Sequence, residues 1–513
     1  MTAAKNAAPS AAENVNLGAL LSRMPDAGRV TLIEYRVGAP PKLWPAGELD
    51  GYASAVARAL LRRGVKRGDS IAVIAANSAA FVALYFGAMR AGIVVVPVNY
   101  KVAADTVAYI IGDAEVKLVF TDSERAGLAP ADVPHIEIGS PDWDGFLDPG
   151  PFEAVVVGKD EIAQLLYTSG STGRPKGVPL SHAGQHWAVS VVTREDNSHH
   201  TLLVAAPMYH MNALFNLKFA FLNRARIILQ PSFTAEGYID AIIAHGATWL
   251  TSVPTMLALV ANHIGDGPRP PEFDRITRIF MGSSPYSTQL LARVKTLFPN
   301  AHITNGYGTT EAGPAVYGPH PDGHPTPDCA LGYPIRSAEA RLVDPSGGVV
   351  EGTGEGVLQM RNPATMAGYR NLPDKTLSAL RDGGWYHSGD VVRRDELGFH
   401  WFVGREDDMF VCGGENIWPV EVERLLERHP GVAQSIVVPV PDETKQNLPV
   451  AFIVRREGSD VDEVAVKAWA IDNGPAYQHP RQVFFIDALP LAGTNKIDRN
   501  ALKAEAARQF QRR

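Results

Sequence analysis

The chain has 513 residues, 45% hydrophobic and 20% charged, with 48 Lys and Arg against 55 Asp and Glu and a formal net charge of -7. That length suggests roughly two to four folding units, the composition is that of a soluble globular protein, and the negative sum argues against bulk binding to nucleic acid. Two cysteines, Cys329 and Cys412, are too few for a disulfide framework or a zinc site and suit a reducing cytoplasm. Met1 to Asn16 is rich in Ala and Asn and lacks the charged-then-apolar order of a secretory signal, so it reads as a frayed terminus. No apolar run reaches the roughly 18 residues of a membrane span. Phe81 to Val98 is interrupted by Arg90, and Leu202 to Leu222 by His210, Asn212, Asn216 and Lys218.

From residue 50 to 140, helical and strand patterns alternate. Tyr52 to Arg63, Ala79 to Gly92 and Asp105 to Ala114 have helical spacing; Ser70 to Ala75, Ile93 to Val98 and Leu118 to Thr121 are short apolar strands. The alternation predicts parallel sheets with helical crossovers. From 160 to 310 the rhythm returns, with strands at Leu202–Ala205, Ile227–Leu229, Trp249–Val253 and Ile276–Met281. Between 330 and 404, short strands broken by Gly, Asp and Pro (Ala340–Val343, Gly356–Arg361, Gly389–Arg393, His400–Val403) predict a small antiparallel sheet or barrel. Residues 405–513 read as a compact α+β unit. It holds helices at Pro419–Glu427 and Val461–Asp472 and strands near Ser435–Val440, Val450–Arg455 and Gln482–Ile486. The Gly- and Asp-rich turn near Arg405 marks the expected boundary between a domain of 1–404 and one of 405–513.

The densest chemical signal is Tyr167-Thr-Ser-Gly-Ser-Thr-Gly-Arg-Pro-Lys-Gly-Val178, which follows the apolar run Ile162 to Leu166. Glycines let backbone approach an anion, hydroxyls and amides donate to phosphate oxygens, and Lys176 adds a point charge. It is not the P-loop of NTPases, because Pro175 precedes the lysine and Gly177 follows it. The stretch resembles the signature loop of the adenylate-forming superfamily of acyl- and aryl-CoA synthetases, luciferase and peptide-synthetase adenylation domains. Further segments in the same order carry the resemblance across about residues 50–500. They are Gly282-Ser-Ser-Pro285, Asn305-Gly-Tyr-Gly-Thr-Thr-Glu-Ala-Gly313, Tyr386-His-Ser-Gly-Asp390, Gly404-Arg-Glu-Asp-Asp408, Gly413-Gly-Glu-Asn416 and Leu489-Pro-Leu-Ala-Gly-Thr-Asn-Lys496. In the third of these segments, Tyr386 to Asp390, the family more often has Thr before Gly.

The resemblance implies an α/β fold. It has a large N-terminal domain of stacked mixed sheets and helices with a small β-barrel-like subdomain, and then a small mobile α+β C-terminal domain. It implies activation of a carboxylic acid by ATP as an acyl-adenylate, followed by transfer to the thiol of coenzyme A. Thr168, Ser169, Gly170, Ser171, Thr172, Gly173 and Lys176 would hold the β- and γ-phosphates. Ser283, Ser284 and Pro285 would lie on the adenine side with Asn305, Gly306, Tyr307 and Gly308, and Tyr307 could stack on the base. Thr309 and Thr310 could donate to the α-phosphate, and the carboxylate of Glu311 suits a magnesium ion bridging phosphate oxygens. Asp390 and Arg405 would hold the ribose hydroxyls. Lys496 would serve the α-phosphate and the attacking carboxylate. Asp407, chosen over Asp408 by register, would be the hinge, and Gly413 and Gly414 would swing in on the thiol side. His210 would act as a lid between acid and thiol, not as a base, since a carboxylate is already ionised at neutral pH.

For the acid, Asn212, Ala213, Phe215, Asn216, Val253, Gly282, Ser283 and Gly306 are pocket candidates alongside His210. They are mostly apolar or neutral, and the run Gly306 to Pro314 is similar to that of 4-coumarate and bacterial aryl-CoA ligases. Both point to an aromatic or hydroxycinnamic acid, with a medium-chain fatty acid or another acyl acceptor as alternatives. A peptide-synthetase module would be expected to continue into a carrier domain, a luciferase would need a luciferin, and a non-catalytic nucleotide binder would be expected to lack Lys496, Glu311 or Asp390. The Tyr477-Gln-His-Pro480 segment stands where many relatives have Tyr-Lys, which puts a phosphate contact there in doubt. Gly352-Thr-Gly-Glu-Gly356 reads as a hairpin turn, and Cys412 has no partner base beside it in sequence. Bacterial relatives also imply a protein acetyltransferase acting on Lys496, although Asn495 replaces the Gly that precedes the lysine there.

Overall fold

A computed structural model describes residues 15–168, 174–193, 195–265, 267–492 and 496–510. The chain divides into two compact units. One comprises Met1–Thr251, Thr309–Ala315 and Asn362–Ser378; the other comprises Ser252–Gly308, Val316–Arg361 and Ala379–Arg513.

The first unit carries two sheets with helical crossovers. In one, Val30–Glu34 pairs antiparallel with Lys42–Pro45 and parallel with Arg226–Leu229, which continues in parallel through Thr201–Val204 to Trp249–Ser252. In the other, His135–Glu137, Val116–Thr121, Ser70–Ile74, Val94–Pro97 and Ile162–Thr168 run parallel, and Lys176–Ser181 returns antiparallel at the edge. These strands are near-continuous Val, Ile and Leu because a parallel sheet between helices is apolar on both faces. The expected crossover helices are present at Ala46–Arg62, Ala79–Arg90 and Ala104–Asp113. Ser78 caps the second by accepting from Phe81 N. Arg90, which argued against a membrane span, is fully buried and satisfied there: it bonds Asp50 at 2.6 Å, Ser54 Oγ at 2.6 Å and Gly18 O at 3.1 Å. No helix among the described residues is long and apolar enough to cross a membrane.

The terminus is not frayed as far as Asn16. That residue is fully buried, caps the short 3-10 turn Leu17–Ala19, and donates to Val155 O at 2.9 Å. The Leu17, Leu20 and Leu21 side chains anchor the segment in the core. The hairpin formed by Val30–Glu34 and Lys42–Pro45 also escaped the sequence reading, because Gly38, Pro40 and Pro41 make the segment between them look like loop alone.

In the second unit, Arg278–Gly282 and His302–Gly306 pair in parallel. An antiparallel sheet follows, as expected for 330–404, built from Glu339–Val343, Gly354–Arg361, Trp385–Arg394, Leu380–Arg381 and His400–Arg405. The α+β portion pairs the long hairpin Val432–Asp442 and Gln446–Arg455, adds Gln482–Phe485 in parallel, and covers the sheet with helices Pro419–Glu427, Glu463–Asn473 and Arg499–Phe510. Its core is Ile417, Val422, Leu425, Leu426, Val437 and Val466 with their neighbours.

Candidate active site

The signature loop is flanked by a pair of antiparallel strands. Thr168 on Ile162–Thr168 lies opposite Lys176 on Lys176–Ser181, so the two strands hold both ends of the loop while Ser169 to Gly173 lie outside the described residues. Thr168 Oγ1 is buried and has no hydrogen-bond partner among the described residues. An orphaned hydroxyl inside a protein costs free energy until a ligand satisfies it. Lys176 Nζ donates to the Tyr369 hydroxyl at 3.1 Å and sits 4.3 Å from the ring centroid. Tyr369 in turn donates to Glu311 Oε1 at 2.9 Å. A cation, a phenol and a carboxylate thus form one relay inside the first unit.

Glu311 is held firmly. Met366 N donates to its carbonyl at 2.7 Å, Thr309 Oγ1 accepts from Ala312 N at 2.9 Å, and Asn362 donates to Ala312 O at 2.8 Å. Gly313 closes this turn at φ 78°, where a side chain would be strained and would meet Ala364. The other Glu311 carboxylate oxygen takes no hydrogen bond among the described residues, which leaves it able to ligate a hard cation. One carboxylate plus substrate phosphates is a usual magnesium environment. Among the described residues no group of three His, Cys, Asp or Glu side chains forms a protein-only metal cage.

The second unit gathers another set. The strand register places Asp390 directly opposite Arg405. Arg405 Nη1 donates to Asp390 Oδ1 at 2.9 Å and to Ser388 O at 2.9 Å, and Tyr307 Oη donates to Asp390 Oδ2 at 2.5 Å. Ser388 completes the frame by donating to Leu358 O at 2.7 Å and accepting from Asp390 N at 3.0 Å. Burial raises the Asp390 carboxyl above its ordinary pKa, and Arg405 and Tyr307 pull back toward the ionised form. Burial also holds the Tyr307 phenol well above its usual range, reinforced by the Asp390 charge. Lys496 lies in the field of the same carboxylate: burial lowers its pKa and Asp390 opposes that shift. Backbone hydrogen bonds hold its segment, with Ala492 N donating to Lys496 O at 2.7 Å and Asp498 N to Pro490 O at 2.8 Å.

Gly282 and Gly306 are neighbours on parallel strands, and neither position has room for a side chain. A Cβ on Gly282 would run into the Gly306 backbone, and one on Gly306 into the Phe280 ring. Ser283 follows at φ 71°, with its N donating to Gly306 O at 3.2 Å. Ser284 and Pro285 continue this loop, and Gly308 continues the one after Gly306. Asn305 spends its amide on Cys329 O and Ala330 O, each at 3.2 Å, so it fastens the loop to its own unit. Thr310 precedes Glu311 in the first unit.

His210 is the N-cap residue of Met211–Leu222 in extended conformation, with its ring edge-on to Tyr209 at 4.6 Å. One turn on, Asn216 donates to Asn212 O at 2.8 Å and to Asn212 Oδ1 at 3.3 Å, which leaves Asn212 Nδ2 buried without a partner among the described residues. Phe215 packs parallel to Phe219. Gly413 and Gly414 have φ 62° and 90° at the tip of the Phe410–Cys412 and Glu415–Ile417 hairpin, and Gly413 N bonds Lys445 O at 3.0 Å. Asp407 accepts from Arg405 Nε at 3.0 Å. Among the described residues, the sequence reading missed Tyr369 and the two residues that brace the Glu311 turn, Met366 and Asn362; Tyr369 is the one with a link to Lys176. The signal for Tyr369 is the Gly368-Tyr-Arg-Asn371 turn, where Asn371 adopts φ 53°.

A phosphate-suited hairpin, a carboxylate fit for a hard cation and a carboxylate fit for a sugar diol are the parts of an enzyme that handles a nucleoside triphosphate. The AMP-binding enzyme family model matches residues 43–370, and the C-terminal domain model of the same family matches 421–496. The chain belongs to the AMP-binding enzyme family: it is an AMP-forming acid–thiol ligase. It is 33% identical to a feruloyl-CoA synthase from Amycolatopsis over 470 residues, covering 90% of this chain and 93% of that one. It is 29% identical to 4-coumarate–CoA ligase 5 of Oryza sativa, covering 92% and 91%. The ATP-bound crystal structure of MatB from Rhodopseudomonas palustris superposes with a TM-score of 0.85 at 27% identity, covering 96% and 99%.

Proposed function

We propose that the protein is an aromatic acid–CoA ligase that acts on a hydroxycinnamate-like monocarboxylic acid. The observation that carries this reading is the Asn212–Asn216 amide pair beside Phe215. It leaves the Asn212 Nδ2 donor buried without a partner among the described residues, and neither amide carries a charge that would hold a second carboxylate. The likeness to a feruloyl-CoA synthase and a 4-coumarate–CoA ligase supports the same substrate class.

The chemistry runs in two steps. The acid carboxylate attacks the α-phosphorus of ATP, the bond to the bridging oxygen breaks, and pyrophosphate leaves. The thiol of CoA then attacks the acyl carbon, loses its proton, and expels AMP. Thr168, Lys176 and the loop between them steady the β- and γ-phosphates, and Thr309 and Thr310 serve the α-phosphate. Tyr307 packs against adenine, with Asn305 and the Gly282–Pro285 loop shaping that side. Asp390 accepts from the ribose hydroxyls, oriented by Arg405. Glu311 would hold Mg2+, which screens the charge of the triphosphate. Lys496 stabilises the charge that builds on the α-phosphoryl oxygens during attack. Between the steps, residues from 405 onward turn about Asp407, withdraw Lys496 and bring Gly413 and Gly414 to line the thiol path, while His210 divides acid from thiol. The boundary at 404/405 is part of this proposal. Its two reduced cysteines suit a cytoplasmic enzyme, and a protein acetyltransferase that neutralises Lys496 would silence adenylation.

The test is AMP and pyrophosphate release over a panel of cinnamates, benzoates, medium-chain fatty acids and diacids, with and without CoA. The highest specificity constant is expected for an oxygenated cinnamate, with AMP release dependent on CoA. A diacid or an alkyl acid at the top of the panel would overturn the substrate assignment, and CoA-independent turnover to a different product would overturn the acceptor.

A further inference from the structure

Asp113 is the last residue of the helix Ala104–Asp113, and both of its carboxylate oxygens are taken. Oδ2 accepts from the Tyr167 hydroxyl at 2.6 Å, and Oδ1 accepts from Asn371 Nδ2 at 3.1 Å. Its carbonyl, left without an intrahelical partner at the helix end, accepts from Arg370 Nε at 2.6 Å and from Asn371 Nδ2 at 3.3 Å. Arg370 also donates to Glu115 Oε1 at 2.9 Å, and its backbone N donates to Gly177 O at 2.9 Å. One helix end thus joins a strand pair and a turn that are distant from it, and from each other, along the chain.

The residues it joins are the immediate neighbours of those on the phosphate side. Tyr167 precedes Thr168 and Gly177 follows Lys176; the strand register sets Tyr167 opposite Gly177 and Thr168 opposite Lys176. A Cβ on Gly177 would press on the Tyr167 ring at 3.0 Å, so a bare backbone lets the ring lie across it. Arg370 and Asn371 follow Tyr369, which bonds Lys176 and Glu311. Two non-glycine residues of this cluster, Glu115 at φ 50° and Asn371 at φ 53°, adopt the left-handed conformation, which persists where surrounding contacts fix it. Burial, and then the bond to Asp113 and its charge, hold the Tyr167 phenol well above its usual range, so it stays a donor at neutral pH.

We infer that Asp113 is a positioning residue for adenylation: acting through Tyr167 and the 369–371 turn, it holds Thr168 and Lys176 at the spacing from Tyr369 and Glu311 that the triphosphate needs. The inference rests on the proposed assignment of Thr168, Lys176 and Glu311 to the triphosphate and its cation. Only a carboxylate meets the demand. The two donors arrive on different oxygens, whereas an amide has one acceptor oxygen and turns its own N–H donors toward the second partner. The β- and γ-phosphates leave as pyrophosphate in the first step, and displacing the groups that position them by about 1 Å can slow that step by about 100-fold. The second step starts from an adenylate that has already lost those phosphates, so it gains nothing from this clamp.

The test compares Asp113→Asn, Tyr167→Phe and the double variant in two assays: pyrophosphate release at saturating ATP, and thioester formation from pre-made acyl-adenylate. Each single variant is expected to lower kcat for pyrophosphate release by about tenfold or more while thioester formation is retained. The double variant is expected to be no slower than Asp113→Asn, because both changes remove the same Tyr167–Asp113 bond. Tyr167→Phe keeps its ring over Gly177, so it reads that bond alone should Asp113→Asn fail to fold. Equal losses in both assays, unchanged pyrophosphate release, or losses that multiply in the double variant would each overturn the inference. The phosphate assignment fails separately. Wild-type pyrophosphate release in Lys176→Ala would sink that assignment and the inference with it, whereas slowed release in Lys176→Ala beside wild-type release in Asp113→Asn would sink the inference alone.

Discussion

Tyr307 donates to one oxygen of Asp390 at 2.5 Å while Arg405 holds the other at 2.9 Å. The carboxylate is thus oriented before any ligand arrives, and its remaining lone pairs have fixed directions. Hydrogen bonds to a charged acceptor contribute about 1.5–3 kcal/mol each. Asp390→Asn is expected to raise the Michaelis constant for ATP by about 10–100-fold on that scale and to lower the melting temperature, since Arg405 would lose the buried one of its two carboxylate partners, Asp407 being exposed. An unchanged ATP dependence would remove Asp390 from the nucleotide site.

The Lys176–Tyr369–Glu311 relay makes Tyr369→Phe informative. The ring stays over the lysine, so the cation–π contact survives and only the hydroxyl is lost. Losing the hydroxyl removes two hydrogen bonds to charged groups, one from Lys176 and one to Glu311, each worth about 1.5–3 kcal/mol, and predicts a pyrophosphate release slower by about tenfold or more that is partly restored by higher magnesium. Equal loss at every magnesium concentration would limit Tyr369 to packing.

Much of this was legible from residue order because the catalytic segments are short, Gly-rich and turn-forming, and their chemistry is carried by neighbours in sequence. The strands beside them were legible as Val- and Ile-rich runs of about five residues, with some ends matched and others misplaced by as much as the step from Gly389 to Trp385. Tyr369 was not, since its partners Lys176 and Glu311 are far away along the chain and a tyrosine after a glycine is ordinary. Asn16 was missed for a related reason: its partners at Arg90 and Val155 are set by tertiary packing.

Lys218 offers a test of stability independent of catalysis. It is fully buried, bonds Gln185 Oε1 at 2.6 Å, and burial lowers its pKa to about 7. A base depressed in the folded state binds fewer protons there than in the unfolded chain between about 7 and 10.5, so stability rises with pH across that window. Lys218→Met is therefore expected to raise the melting temperature at pH 6–7, by about 1–4 kcal/mol of stability, with a smaller gain near pH 10. A variant destabilised equally at both pH values would mean that the ammonium is compensated.

Asp407→Pro tests the hinge. Asp407 is exposed and held by Arg405 at 3.0 Å. Proline fixes φ and removes a donor, so one orientation of the residues beyond it should be trapped. One half-reaction is expected to fall by at least about tenfold while the other is retained; pyrophosphate release and consumption of pre-made acyl-adenylate read the two. Equal losses in both, or none in either, would count against a pivot at 407.

Lys496→Ala is expected to cripple adenylate formation and to spare thioester formation from pre-made acyl-adenylate. In the first step two anions, the acid carboxylate and the α-phosphate, are forced together, and negative charge grows on the phosphoryl oxygens. A preorganised ammonium stabilises that transition state more than the separated reactants. Burial lowers the Lys496 pKa, but the Asp390 charge opposes the shift and favours the protonated form that the step needs. Removing one such preorganised donor typically costs about 10²–10³ in rate. The second step gains nothing from this charge, because the thiol attacks an already activated acyl carbon and the leaving group is AMP. Three outcomes separate on one preparation. Loss of pyrophosphate release alone assigns Lys496 to the first step. Equal loss of both, accompanied by a lowered melting temperature, makes the Lys496 side chain a structural support and not a residue of one step. Wild-type rates in both steps would make it a bystander near the end of the chain.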